Sequence, residues 1–287
     1  MRRLLIVGCG DIALRTLPLL ESRYCVFGLS RNLEHAQKLR RRKITPLIGD
    51  LDAPKSLARL AGIGEYVLHF CPPKASGAED TRTRNLLAVL SSGGSLPRRL
   101  LYISTTGVYG NCGGEVVPET HPAAPRTARA IRRLDAESRL RDWGKRNRVA
   151  VIILRVPGIY AADRLPLDRI RRQTPVLRDE DDVYTNHIHA DDLARIVIAA
   201  LESGSASRIY NVCDDSELKM AEYFDLVAQA HGFPAPPRIS LAEAQSSLPE
   251  NLLSFMRESR RLSNARMRSE LRVRLHYPTV HEGLARS

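Results

Sequence analysis

The chain has 287 residues, 43% of them hydrophobic, which suits one large or two modest domains and argues against long disorder. Its five cysteines (Cys9, Cys25, Cys71, Cys112 and Cys213) form no Cys-x-x-Cys pair, which argues against structural zinc and for reduced thiols. The net charge of +12 rests on 38 arginines and six lysines spread from end to end. Coding bias accounts for that skew as readily as a polyanion does, and an anionic cofactor or substrate fits it at least as well as nucleic acid. The apolar run "LLIVGCG" is too short for a signal peptide or a spanning helix, and no later segment reaches membrane length without charges. A soluble, cytoplasmic protein is expected, with neither membrane nor nucleic acid as a partner.

The first two-thirds alternate strand and helix. "RLLIVGCG" reads as a strand ending in glycines, and "DIALRTLPLLES" as a helix strained by Pro18. "YCVFGLSR" and "ITPLIGDL" are strands around the helix "NLEHAQKLRRR". "PKSLARLAG" reads as a helix, "EYVLHFCPP" as a strand stopped by prolines, and "AEDTRTRNLLAVLSSG" as a helix. "RRLLYISTTGVYG" is a fifth strand, 126–147 a helix and "VAVIILRVPGIYA" a sixth strand. "NHIHADDLARIVIAALES" reads as a strand end plus helix, and "SRIYNVCD" as one more strand. Two or three helices follow.

Continuously apolar strands separated by helices predict a parallel sheet covered on both faces. The fold class is α/β, a doubly wound Rossmann sheet with a small C-terminal substrate lobe. The expected division is 1–155 and 186–212 for the dinucleotide-binding domain, and 156–185 and 213–287 for the lobe.

Gly8-Cys9-Gly10-Asp11-Ile12-Ala13 is a G-x-G-x-x-A turn between the first strand and the first helix. Gly8 permits the turn, Gly10 admits a pyrophosphate, and Ala13 lets helix and strand close. Asp11 and Ile12 begin the helix whose free N–H groups would face the phosphates. The alternative is a tight turn with no ligand. At the end of the second strand stand Ser30, Arg31 and Asn32. Arginine and serine can hold a 2′-phosphate, and no carboxylate is there to repel it, so NADP is expected slightly ahead of NAD. Arg31 is otherwise one more arginine among many. Asp50 and Leu51 end the third strand where an adenine would lie, although Asp50 could instead cap the next helix.

By these features the chain resembles the extended short-chain dehydrogenase/reductase superfamily, in its nucleotide-sugar epimerase and dehydratase branch. The resemblance rests on "GCGDIA" (8–13), "GDL" (49–51), "ISTTGVYG" (103–110), "ILRVPGIY" (153–160), "HIHADDLA" (187–194), "IYNVCDD" (209–215) and "YPTVHEGL" (277–284). Pro72-Pro73 looks like its atypical members. The resemblance implies that Thr105 donates to a substrate oxygen, unless Ser104 and Thr105 merely cap a strand. It implies that Pro157 and Gly158 lie beside the nicotinamide. Some relatives dimerise through two helices, so a homodimer is possible. It also implies a Tyr-x-x-x-Lys pair on the helix at 126–147. Alignment on Glu137 puts Arg129 at the tyrosine position and Arg133 at the lysine position. None of the nine tyrosines is followed four residues later by lysine. Arginine stays protonated and cannot exchange a proton near neutral pH. Arg133 could still bond ribose or phosphate, and Arg129 could clamp an anionic substrate.

His187, His189, Asp191 and Asp192 have the look of a metal box, but Asp191 or Asp192 as a helix N-cap is the simpler account, and no metal is expected. Cys71 and Cys112 lack flanking groups that would make them nucleophiles. Two functions remain: an NAD(P)-dependent oxidoreductase or epimerase acting on a small carbonyl/hydroxyl or nucleotide-sugar-like substrate through an altered proton relay, or an NAD(P)-binding sensor or interaction protein without turnover.

Overall fold

The computed structural model describes residues 1–20 and 23–285. Seven parallel strands form the central sheet. In chain order the first five are β1 (Arg2–Val7), β2 (Tyr24–Ser30), β3 (Thr45–Ile48), β4 (Tyr66–His69) and β5 (Arg99–Thr105). The strands Ala150–Val156 and Arg208–Asn211 complete it. Across the sheet the order is Arg208–Asn211, Ala150–Val156, β5, β4, β1, β2, β3. The chain winds outward from β1 to β3, then crosses to β4 on the other side. The switch point therefore lies between β1 and β4, where doubly wound sheets bind ligands.

Both faces are covered, which is why the strands read as unbroken apolar runs. Leu4 and Ile6 join one core with Ile12 and Leu17 of α1 (Asp11–Leu20) and Leu193, Ile196 and Val197 of the helix Ala190–Ser203. Leu5 and Val7, one residue out of phase, join the other core. That core takes Leu86 and Leu90 of α3 (Thr81–Ser91), and Leu140 and Trp143 of α4 (Ala128–Asn147). α2 (Leu33–Arg41) is capped by Asn32, whose side chain accepts from the His35 N–H.

Several predicted elements differ in detail. Pro54–Leu60 is a 3-10 helix. β3 stops at Ile48, and Asp50–Ala53 form a turn in which Asp50 Oδ1 accepts the Asp52 N–H at 2.9 Å. Asp50 is thus no helix cap; that position belongs to Ala53. The sixth strand breaks at Pro157, which has no N–H for the ladder. Residues Gly158–Tyr160 leave the sheet and pair in parallel with His187–His189. α1 continues through Pro18 to Leu20, and residues 21 and 22 of the predicted helix lie outside the described ones.

The C-terminal region holds five helices among the described residues rather than two or three. Four of them are only six or seven residues long. That is too short to display a helical period. Tyr160, Ile170, Val176, Phe224, Val227 and Val280 form a separate core there. Ala265–Leu271 instead returns to the main sheet, placing Met267 and Leu271 in the core with α1. Among the described residues no helix is long and apolar enough to cross a membrane.

Candidate functional site

β1 ends at Val7, and the chain turns at Gly8 with φ +100°. A Cβ at Gly8 would lie 2.6 Å from the Cys71 backbone nitrogen, because the segment after β4 runs directly against the turn. Only glycine fits. At Gly10 the same construction meets nothing within 4 Å. Open space against the first turn of a helix is what an approaching pyrophosphate requires.

A cleft of 690 Å³ opens from this turn. Gly8, Gly10, Asp11, Ile12, Arg31, Asp50, Leu51 and Pro72 all line it. Ser30 does not: it is 1% exposed, and its hydroxyl lies 2.9 Å from the Asn32 carbonyl and 3.0 Å from His35 Nδ1. The expected serine contact to a 2′-phosphate is therefore replaced by one inside the turn, and His35 reaches the cleft beside Arg31.

Two arginines that sequence reasoning missed also line the cleft. Arg82 holds Asp52 through Nε and Nη2, the shorter contact being 2.7 Å. Arg164 donates to Asp11 Oδ2 at 2.8 Å. Behind it, Arg15 bonds Asp11, Asp163 and Asp191, tying the start of α1 to the segment after Tyr160. Arg164 is more than 150 residues from the glycine turn, so no local pattern could announce it.

A second cavity of 460 Å³ adjoins the first. Ile103, Arg133 and Ile159 line both. Thr105, Arg129 and Pro157 line the second only. Thr105 accepts the Gly107 N–H at 3.3 Å, capping a 3-10 turn and leaving its own O–H to donate. Ser104 is turned inward and donates to Glu137 Oε1 at 2.5 Å. α4, capped by Thr127, brings in the arginines. Arg133 Nη1 donates to the Tyr102 hydroxyl (2.9 Å) and the Ile103 carbonyl (2.7 Å). Arg129 stacks over the Phe255 ring at 4.9 Å. Arg129 is exposed at the cavity wall, and its guanidinium is pushed below its ordinary value, first by partial desolvation there and then by the charge of Arg133.

Tyr109 and Tyr160 do not supply the missing tyrosine. Both are 1% exposed; their hydroxyls donate to Asn211 Oδ1 (2.8 Å) and the Thr279 carbonyl (3.2 Å). Burial raises the Tyr109 and Tyr160 hydroxyls and the Cys71 and Cys112 thiols alike, the reverse of activation. His187 and His189 stack on Tyr223 (4.0 Å) and Tyr277 (3.7 Å). Neither Asp191 nor Asp192 is the N-cap. The strand runs straight into the helix, so the cap falls on His189, whose Nδ1 accepts the Asp191 N–H at 3.2 Å. Asp192 is fully buried and accepts the N–H groups of His276 (3.0 Å) and Tyr277 (2.8 Å).

A doubly wound parallel sheet, a glycine turn at its switch point and a second cavity beside it define a dinucleotide-binding α/β protein of the Rossmann class. The chain belongs to the NAD dependent epimerase/dehydratase family, which it matches over residues 16–213. It is 29% identical over 199 residues to the GDP-6-deoxy-D-mannose reductase of Pseudomonas aeruginosa, covering 63% of this chain and 65% of that enzyme. The match thus spans just under two-thirds of the reductase. A conserved protein of unknown function from Silicibacter pomeroyi superposes with a TM-score of 0.83 at 26% identity, over 99% of this chain and 97% of that one. UDP-glucuronic acid 4-epimerase from Bacillus cereus, solved with NAD, superposes at 0.78 and 16% identity, over 98% and 96%, and so shares the fold.

Proposed function

We propose that the protein is an NAD(P)-dependent oxidoreductase or epimerase acting on a small carbonyl or hydroxyl compound. The observation that carries this is the meeting of the two cavities at Ile103, Arg133 and Ile159. A dinucleotide in the larger one and a substrate in the smaller one would touch there. When bound, the nicotinamide exchanges a hydride with the substrate. Gly8, Gly10 and Ile12 would hold the pyrophosphate, Asp50 and Leu51 the adenine side, and Pro157 the nicotinamide side. Arg31 and His35 favour NADP over NAD. Thr105 donates to the substrate oxygen, and the lobe of 156–185 and 213–287 walls the substrate in.

Arg129 and Arg133 take the tyrosine and lysine positions in this reading, so a proton must come from elsewhere. Tyr184 is the tyrosine on the smaller cavity's wall. The same substitution supports a second reading, a dinucleotide-binding protein without turnover.

Thermal-shift titration with NAD, NADH, NADP and NADPH tests the common part, because a ligand of the folded state raises its melting temperature. Stabilisation by at least one is expected, with the phosphorylated pair ahead. No shift with any of the four overturns both readings. Nicotinamide absorbance with carbonyl compounds and nucleotide sugars then separates them. Turnover with any substrate favours the enzyme. Silence from wild type and from the R129Y/R133K double variant, with binding retained, favours the binding protein.

A further inference from the structure

Three of the six arginines that line the two cavities are matched to carboxylates among the described residues. Arg82 holds Asp52, Arg164 holds Asp11 and Arg260 holds Glu258. Arg31, on the larger cleft, is not matched, nor are Arg129 and Arg133, which stand together on the smaller cavity. Among the described residues neither has a carboxylate partner. Arg133 spends one nitrogen, Nη1, on two neutral oxygens, and Arg129 lies over an aromatic ring. They stand four residues apart on one face of α4, where like charges repel. Arg129 is exposed and Arg133 half-buried, so water reaches both, and an anion seated between them would relieve the repulsion.

The rest of the wall does not supply that anion. Glu258 is taken by Arg260 at 2.9 Å, and Arg260 also donates to the Gly110 carbonyl at 2.6 Å. Arg260 Nε is buried without a partner among the described residues. Three guanidinium groups thus face one carboxylate across 460 Å³. Guanidinium pairs read carboxylates and phosphates by their fork of N–H donors. We propose that Arg129 and Arg133 form an oxyanion subsite, so that the substrate carries a carboxylate or phosphoryl group close to the carbon that reacts. The position of the reacting carbon rests on the proposed function; the anion site itself does not.

Isothermal titration tests it, with and without dinucleotide. The probes are oxalate for a carboxylate, inorganic phosphate for a phosphoryl group, and oxamide as the uncharged analogue of oxalate. Oxalate or phosphate should bind, oxamide about tenfold or more weakly, and the tighter anion names the group the substrate carries. Affinity should fall as salt rises. R129Q should weaken the bound anion about tenfold, R129K less, and R126Q, in the exposed residue just ahead of α4, not at all. R129Q carries the test because Arg129 has no hydrogen bond to lose among the described residues, so an unchanged melting temperature certifies the fold. R133Q also frees Tyr102 and is the weaker control. The subsite is overturned if neither anion binds at millimolar concentration, if oxamide matches oxalate, or if R129Q leaves affinity unchanged. Oxalate binding to a protein that binds no dinucleotide would uphold the subsite and overturn the proposed function.

Discussion

Arg155 and Glu137 form a two-point ion pair inside the molecule, Nε to Oε1 at 3.1 Å and Nη2 to Oε2 at 2.7 Å, with side chains 5% and 2% exposed. Ser104 donates into the same Oε1, and the Arg155 guanidinium lies 4.6 Å from the Tyr109 ring centre. The pair locks α4 to the strand Ala150–Val156 one helical turn beyond Arg133, so it sets where the cavity arginines stand. E137A leaves a buried cation without its partner and should cost about 3–5 kcal/mol in urea unfolding. The double variant E137M/R155M should recover most of the loss. A cost well below about 1 kcal/mol for E137A would show that the pair does not hold α4.

Gly8 and Gly10 are predicted to fail in different ways. G8A puts a methyl against the Cys71 backbone at a positive φ and should destabilise the fold by about 1–3 kcal/mol. G10A meets open space, so its melting temperature should stay at the wild-type value while dinucleotide affinity falls about tenfold or more. If G10A binds as wild type does, no pyrophosphate passes over Gly10.

Arg164 is expected to exchange Asp11 for the cofactor's pyrophosphate. The two are 2.8 Å apart at the mouth of the glycine turn, and Asp11 is the anion a phosphate would have to displace. R164Q should weaken ADP about three- to tenfold and leave adenosine unchanged. D11N should tighten ADP. Equal losses for ADP and adenosine in R164Q would point to a distorted cleft instead.

Asp214 sets a pH dependence of stability. It is 4% exposed; one oxygen accepts the Ser216 N–H at 3.0 Å, and the other has no partner among the described residues. Burial pushes its carboxyl up to about 8, with the Ser216 N–H pulling the other way. The folded state therefore keeps a proton that the unfolded state releases from about pH 4 upward. This contribution is complete below about pH 4 and is lost as pH rises through about 8, on the order of a few kcal/mol in all. D214N should flatten that slope and melt higher than wild type near pH 8. Parallel curves for the two proteins between about pH 5 and 8 would mean that Asp214 is ionised in the fold.

Much of the fold was legible because its signals are local. Seven apolar strands, each followed by a helix or a tight crossover, demand a parallel sheet. The Gly8–Ala13 turn locates the cleft from six consecutive residues. The failures share a cause too. The short C-terminal helices are each under two turns and show no period. Ser30 looks outward on paper, yet it turns in to His35, because the Asn32 cap brings that ring back over the strand end. The cap of the helix Ala190–Ser203 fell to His189, because the strand enters the helix without a spare residue.

By itself, the sequence determined the class of fold, the place of the glycine turn and the absence of a Tyr-x-x-x-Lys pair, since each depends on residues close together in the chain. Tertiary structure alone decided which charges are matched. Arg155 finds Glu137, Arg164 finds Asp11, and Arg129 and Arg133 find no carboxylate among the described residues, because partners are set by elements that meet from distant parts of the chain. Coulomb energy follows distance in space, and in this chain of 38 arginines only the packed elements show which cations stand ready for a ligand.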